Sequence, residues 1–191
     1  MEYFSHLLLN SGIFIILSVS LNLINGICGQ FSLGHAGFWA VGAYTGAAYG
    51  VYLAPDFLPD FVNLFISCGI GFLTAALAGV LIGVPCLRLR GDYLAIATLG
   101  FGEIIRIIIM NMDTVGGPRG FTNIPLWSNL FWVYAWVAIT ILVIANILRG
   151  THGRAIISIR EDEIAADSMG IYTFKYKTMA FVLGAGFAGL A

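Results

Sequence analysis

Long uncharged stretches alternate along the chain with short charged ones. No Asp, Glu, Lys or Arg occurs at residues 3–55, 61–87 or 120–148. Each stretch exceeds the roughly 20 apolar residues that a helix needs to cross a bilayer. Membrane segments are therefore predicted at 7–27, 36–54, 61–87, 93–112 and 124–148, and a sixth opens at Thr178. Ala191 ends the sequence too soon for the sixth to span, so the chain reads as a fragment with further helices to follow. The pattern predicts an all-α fold, a polytopic membrane protein built as a helical bundle. Residues 1–191 read as one transmembrane domain with a polar loop at 149–177.

Composition agrees with this reading. Apolar residues make up 59% of the chain and charged residues 10%, against about 25% charged in soluble domains. A net charge of −1 leaves no basic face for nucleic acid. Glu2, with no Lys or Arg near it, argues against a secretory signal, which opens on basic residues. Cys28, Cys68 and Cys86 lie in apolar stretches without metal-ligand spacing and read as packing residues. The three histidines, His6, His35 and His152, are scattered. The chain has no GxxxxGK[ST] loop, HExxH, CxxC pair or serine nucleophile elbow. An enzyme is not expected, and neither is a cofactor or a metal.

Lys and Arg orient such a bundle, because they collect on the cytosolic side. Alternating the segments puts Arg88, Arg90, Arg149, Arg154, Arg160, Lys175 and Lys177 on one side. Arg119 falls on the other, with Asp56, Asp60 and Asp113. The first side is expected in the cytosol. Residues 55–60 and 113–123, and with them the N-terminus, then face out. A broken or re-entrant segment near 28–37 would reverse the N-terminus.

The polar loop holds 9 of the 19 charged side chains. Ser158 followed by Glu161 fits a capping box. Glu161, Asp162 and Glu163 would crowd the first turn, where the helix dipole favours negative charge. Gly170 suits the left-handed residue that closes a helix. A helix is thus predicted over 159–169. At 100° per residue, Ile159, Ala165, Ala166 and Met169 share an apolar face. Arg160, Glu161, Glu163 and Asp167 share a charged one. Asp162 falls within the apolar arc, and Ile164 protrudes from the charged face. An isoleucine there suits a helix docking into a partner's groove.

Two further constellations stand out. Gln30, Ser32 and His35 lie in the glycine-rich run GQFSLGHAG, 29–37. Either this run lines the translocation path as a broken helix, or it is a cytosolic turn between the first two segments. Glu103 and Arg106 sit three residues apart inside the fourth segment, a spacing that lets them pair. Charges within a membrane are costly and face a partner or a cavity. The pair either orients the helix or lines the path, with Asn111 extending the polar track. Gly42, Gly46 and Gly50, and likewise Gly79 and Gly83, recur every four residues, which suits close helix packing.

The run GRAIISIREDEIAADSMGIYTFKYKTMAFVLGAGFAGLA, 153–191, resembles the cytoplasmic coupling loop of ABC-importer permeases. It is most similar to the LivM-type permease family of branched-chain amino acid transporters. GQFSLGHAGFWAVGAY at 29–44, RLRGDYLAIATLGFGEIIRIII at 88–109 and GGPRG at 116–120 support the same resemblance, which covers most of the chain. It implies a subunit of the bacterial inner membrane that translocates leucine, isoleucine or valine. Implied partners are a homologous second permease, two ABC ATPase subunits that hydrolyse the ATP, an extracytoplasmic substrate-binding protein and membrane lipid. The resemblance implies coupling to the ATPase through Arg160, Glu161, Asp162, Glu163, Ile164, Ala165, Ala166 and Gly170. Two alternatives stay open. One is an ABC permease for urea or short amides. The other is an ion-coupled transporter or channel without an ATPase, with Glu103 as its proton or ion site.

Overall fold

The structure, a computed structural model, describes residues 2–55, 57–89, 91–125 and 127–191. Asp56 and Arg90, both used above to orient the segments, lie outside the described residues. Eight α-helices account for the described secondary structure apart from short π and 3-10 turns. They are α1 (Glu2–Asn22), α2 (His35–Ala48), α3 (Asp60–Cys86), α4 (Asp92–Met110), α5 (Leu130–Arg149), α6 (Thr151–Glu161), α7 (Glu163–Ser168) and α8 (Thr173–Leu190). Single π turns extend α1 through Ile27 and α2 through Leu53.

Among the described residues, four helices are long and apolar enough to cross a membrane: Tyr3–Ile27, Asp60–Cys86, Asp92–Met110 and Leu130–Arg149. α2 and α8 are not among these four. They are rich in glycine, and α8 carries Lys175 and Lys177. α2 buries one face, at Phe38, Gly42 and Gly46, and α8 buries most of its length from Ala180 onward, including Phe181 and Ala185. The core gathers Ile24 of the α1 extension, Phe38 of α2, Ala75 and Ile82 of α3, and Phe181, Ala185 and Ala188 of α8. Phe38 meets Phe181 edge-on, with ring centroids 5.4 Å apart.

Glycines set how closely these helices approach. Gly42 of α2, Gly71 of α3 and Gly189 of α8 meet backbone to backbone, so that a Cβ on Gly42 would collide with the Gly189 main chain. A Cβ on Gly79 would come within 2.8 Å of Ala185 Cβ, and one on Gly83 within 2.9 Å of the Phe181 ring. The four-residue glycine spacing therefore serves packing of helices within the chain.

Contacts along the helices fix their directions. α1 and α5 run the same way, since Tyr134 Oη donates to Leu8 O at 3.3 Å near their starts, and Leu23 packs with Ile144 near their ends. α2 returns beside α4, with Gly34 against Thr98 and Gly37 against Gly102. At the far end Tyr52 Oη donates to Thr114 O at 2.7 Å. α3 runs antiparallel to both α2 and α8. Residues 28–34, 87–89 and 150–172, with Gly91, thus share one end of the bundle. The start of α1, residues 54–55 and 57–59, and residues 111–125 and 127–129 share the other. Among the described residues, Arg88, Arg149, Arg154, Arg160, Lys175 and Lys177 occupy the first end and Arg119 the second. This matches the division expected from the charges.

Element boundaries differ from expectation in four places. The first helix starts at Glu2, five residues before the expected residue 7. The fifth helix starts at Leu130, where the Asn129 side chain accepts from the Leu130 amide at 2.8 Å. Residues 121–125 and 127–129 are not helical. The last helix opens at Thr173, five residues before Thr178, because its two lysines lie within it. The largest difference is in the polar loop, which holds two helices.

Candidate functional site

α6 follows α5 after a single extended residue, Gly150. A Cβ on Gly153 would collide with the Leu148 main chain, so glycine permits this sharp turn. Gly153, Ile156 and Ile159 form the buried stripe of α6. Ile156 packs with Cys28 of the first connection and Ala180 of α8. Burial pushes the Cys28 thiol up to about 12, only partly offset by the positive Lys177 nearby. The thiol therefore stays protonated at neutral pH and serves as packing.

The expected helix over 159–169 is corrected here. Ser158 is no N-cap: it lies in the last turns of α6, and its Oγ donates to Ala155 O at 2.9 Å. The chain instead breaks at Asp162, which has extended geometry. Its Oδ1 accepts from the amides of Ile164 at 2.9 Å and Ala165 at 3.0 Å. Asp162 is thus the true cap, which explains its place within an otherwise apolar arc. Arg160 and Glu161 end α6, where they pair with each other; of the other residues expected to couple, Glu163, Ile164, Ala165 and Ala166 lie in α7, Asp162 caps it and Gly170 follows it.

α7 closes as expected. Gly170 has φ +83°. The Ile171 amide donates to Ala166 O at 3.1 Å and the Gly170 amide to Asp167 O at 2.9 Å. These two bonds form a Schellman closure. Of the expected apolar face, Ile159 and Ala166 are buried, but Ala165 and Met169 are exposed. The break at Asp162 rotates α7 relative to α6 and so separates the face. Ile164 projects as read, with 72% of its surface exposed. Met169 and Tyr172 extend the exposed apolar patch.

One ion pair ties this rod to the bundle. Lys177 Nζ on α8 meets Glu163 Oε2 on α7 at 2.6 Å, with the lysine side chain 15% exposed. A second tie runs to the first connection: Arg160 Nη1 donates to Gly26 O at 3.4 Å. The Arg160 stem lies over Gly29, where a Cβ would come within 2.9 Å of Arg160 Cγ. Neither tie was legible in the sequence, because both join segments more than ten residues apart.

Residues 28–34 form the turn between the antiparallel α1 and α2, at the basic end of the bundle. The turn is half buried: Cys28, Gln30, Ser32 and Gly34 are buried, whereas Gly29, Phe31 and Leu33 are exposed. Leu33 N donates to Thr98 Oγ1 at 3.1 Å, about 9 Å along α4 from Asp92. Asn25 braces it through both of its amide atoms to the Ser32 main chain. Gln30, Ser32 and His35 are all buried. His35 Nε2 meets Ser20 Oγ at 2.9 Å. Both side-chain amide atoms of Gln30, together with Ser32 Oγ and His35 Nδ1, have no protein partner among the described residues.

Glu103 and Arg106 do pair: Nε donates to Oε2 at 2.9 Å. Arg106 Nη1 also reaches Met110 Sδ at 3.4 Å. The pair lies on an open face of α4, beside a cleft against Leu33, Ala36 and Trp39. Gln30, Ser32 and His35 do not line that cleft, so the five expected path residues fall into two groups. Asn111 extends no polar track. Its side chain donates back to Ile107 O at 2.7 Å.

Residues 3–191 match the family described as branched-chain amino acid transport system, permease component. The chain belongs to this family. It is 39% identical to the high-affinity branched-chain amino acid transport system permease protein LivM of Escherichia coli K12, over 94% of this chain and 49% of that protein. The Salmonella typhimurium protein of the same name is 38% identical with the same coverage. A probable branched-chain amino acid transport permease protein of Methanocaldococcus jannaschii is 25% identical, over 100% of this chain and 66% of that protein. The chain spans about half the length of the first two relatives. No solved structure matches it significantly. Membership of a permease family, together with the four apolar helices, makes this a multi-pass membrane protein.

Proposed function

We propose that the chain is the membrane-spanning part of a permease subunit in an ATP-binding-cassette importer of the bacterial inner membrane. It carries leucine, isoleucine or valine inward. It pairs with a homologous permease, and two separate ATPase subunits hydrolyse the ATP. An extracytoplasmic binding protein delivers the substrate, and the GGPRG turn at 116–120 lies on the side that it would approach. The names of the relatives support the substrate class.

The observation that carries this reading is α7: a short rod capped at both ends, with Ile164 bare at its tip and Glu163 clamped to α8. A rigid rod transmits displacement that a loose loop would absorb. In this reading Ile164 enters an apolar groove of the ATPase, and the ring of Glu161, Asp162 and Asp167 surrounds that contact. ATP-driven closure of the two ATPases then moves α7. The motion passes to α8 through Lys177 and to the buried turn through Ile156 and Arg160.

Co-purification tests it. The wild-type chain is expected to bring down ATPase subunits, and Ile164→Asp to release them while the permease remains folded. Retention of the ATPase by Ile164→Asp would count against docking through α7. Full transport by the chain alone would point to the ion-coupled class.

Gln30, Ser32 and His35 are assigned to the substrate path in the same reading, because both Gln30 amide atoms, Ser32 Oγ and His35 Nδ1 are buried without protein partners among the described residues. Replacing such a group with an apolar one of similar shape is close to neutral for stability. Gln30→Met is therefore expected to keep the thermal midpoint and lose uptake. Loss of folding with no separate loss of uptake would make Gln30 purely structural.

A further inference from the structure

We infer that Glu103 and Arg106 form a binding site for the zwitterionic head group of an α-amino acid, within the membrane. The inference rests on the importer reading above and adds the chemistry of recognition to it.

Depth comes first. Glu103 lies eleven residues into α4, which starts at Asp92. At about 1.5 Å per residue this is roughly 17 Å from one end of the helix, and Arg106 is roughly 6 Å from the other, at Met110. Both charges therefore fall inside the apolar span of α4 and not at its tips. An ion pair that merely oriented the helix would be expected to lie inside the bundle. Instead Arg106 is 60% exposed and Glu103 54% exposed. The pair faces out of this chain's own core, at a level where charge is costly unless something meets it.

Geometry comes second. The pair borders a cleft of about 320 Å³, at the lower end of the roughly 300–1,000 Å³ of small-molecule pockets. Leu33, Ala36, Trp39 and Ala40 line one side of it, and Leu99 and Gly102 the other. A small apolar side chain suits those walls. The internal ion pair uses Nε and Oε2. Among the described residues, Arg106 Nη2 and Glu103 Oε1 have no protein partner, which leaves a donor nitrogen and an acceptor oxygen available.

Charge decides the ligand class. The pair is neutral as a unit, and so is an amino acid zwitterion. The guanidinium can take the carboxylate and the carboxylate can take the ammonium, so two dipoles align head to tail without adding net charge to the membrane. A lone cation or anion would leave one charge unmatched. Urea and short amides offer no full charge to either partner.

The test uses the assembled importer, with its ATPases and binding protein, in vesicles supplied with L-leucine. Wild-type uptake of leucine checks the importer reading by itself. Uptake of urea but not leucine by the wild type would overturn that reading, and this site with it. Given leucine uptake by the wild type, Arg106→Gln and Glu103→Gln are each expected to lower it about tenfold or more, the scale of one lost charge-assisted contact. ATP hydrolysis stimulated by the leucine-loaded binding protein should persist in both. Wild-type uptake in both variants would overturn the site and leave the importer reading standing. The exchanged pair, Glu103→Arg with Arg106→Glu, covers the case in which the single variants fail to assemble. It restores the ion pair but reverses the head-group register. An assembled exchanged variant that has lost uptake supports the site, and full recovery would make the pair purely structural.

Discussion

Gly42→Val is expected to prevent the bundle from closing. The new side chain would occupy space now held by the Gly189 backbone. Overpacking a core costs about 1–3 kcal/mol where side chains can shift. Here the obstacle is main chain and not a side chain, so the loss belongs at or above the top of that range. It should appear as a large drop in the thermal midpoint of the purified protein, or as loss of the monodisperse species. Gly69→Ala is the control. Nothing lies within 4 Å of a Cβ at that position, and alanine favours a helix by about 0.5–1 kcal/mol. A Gly42→Val protein that melts with the wild type would show that α2 and α8 do not touch here.

Asp162→Ala is expected to melt α7 and disconnect ATP hydrolysis from uptake. The cap is worth about 1 kcal/mol, a small sum that acts on a very short element. α7 has six residues, and isolated helices shorter than about 12 are marginal even with good sequences. Its order depends on the Asp162 cap, the Gly170 closure and the burial of Ala166. Losing the first should raise amide exchange across 163–169 and lower leucine uptake about tenfold. Asp162→Asn, an equally good cap, should keep most of both. Unchanged exchange in Asp162→Ala would mean that the cap does not hold the rod. Unchanged uptake despite faster exchange would mean that the rod does not carry the motion.

Much of this was legible in the chain. The uncharged stretches located the helices, and the distribution of Lys and Arg divided the two ends of the bundle. The i,i+3 spacing anticipated the Glu103–Arg106 pair, and Gly170 anticipated the left-handed closure. The error at Ser158 is instructive. Ser158 and Asp162 are comparable caps by local chemistry, and the pattern Ser-x-x-Glu fits a helix interior as well as a helix start. What decides between them is the burial of Ile156 and Ile159, which carries α6 straight through Ser158. Ile156 finds its partners at Cys28 and Ala180, and no local pattern reveals contacts so distant in sequence. The stripe Gly153, Ile156, Ile159, at three-residue intervals, was the available signal for α6. The polar turn was likewise visible as an interruption, but its depth beside Thr98 depends on how α2 lies along α4.

The meeting of Gly42, Gly71 and Gly189 has a mechanical consequence. Side chains between helices act as a cushion, able to change rotamer and absorb small shifts. At this junction there is no cushion. A nudge delivered to the lysine-bearing end of α8 reaches its glycine-bearing end undamped, and there the helix can only slide along its two neighbours or drag them with it.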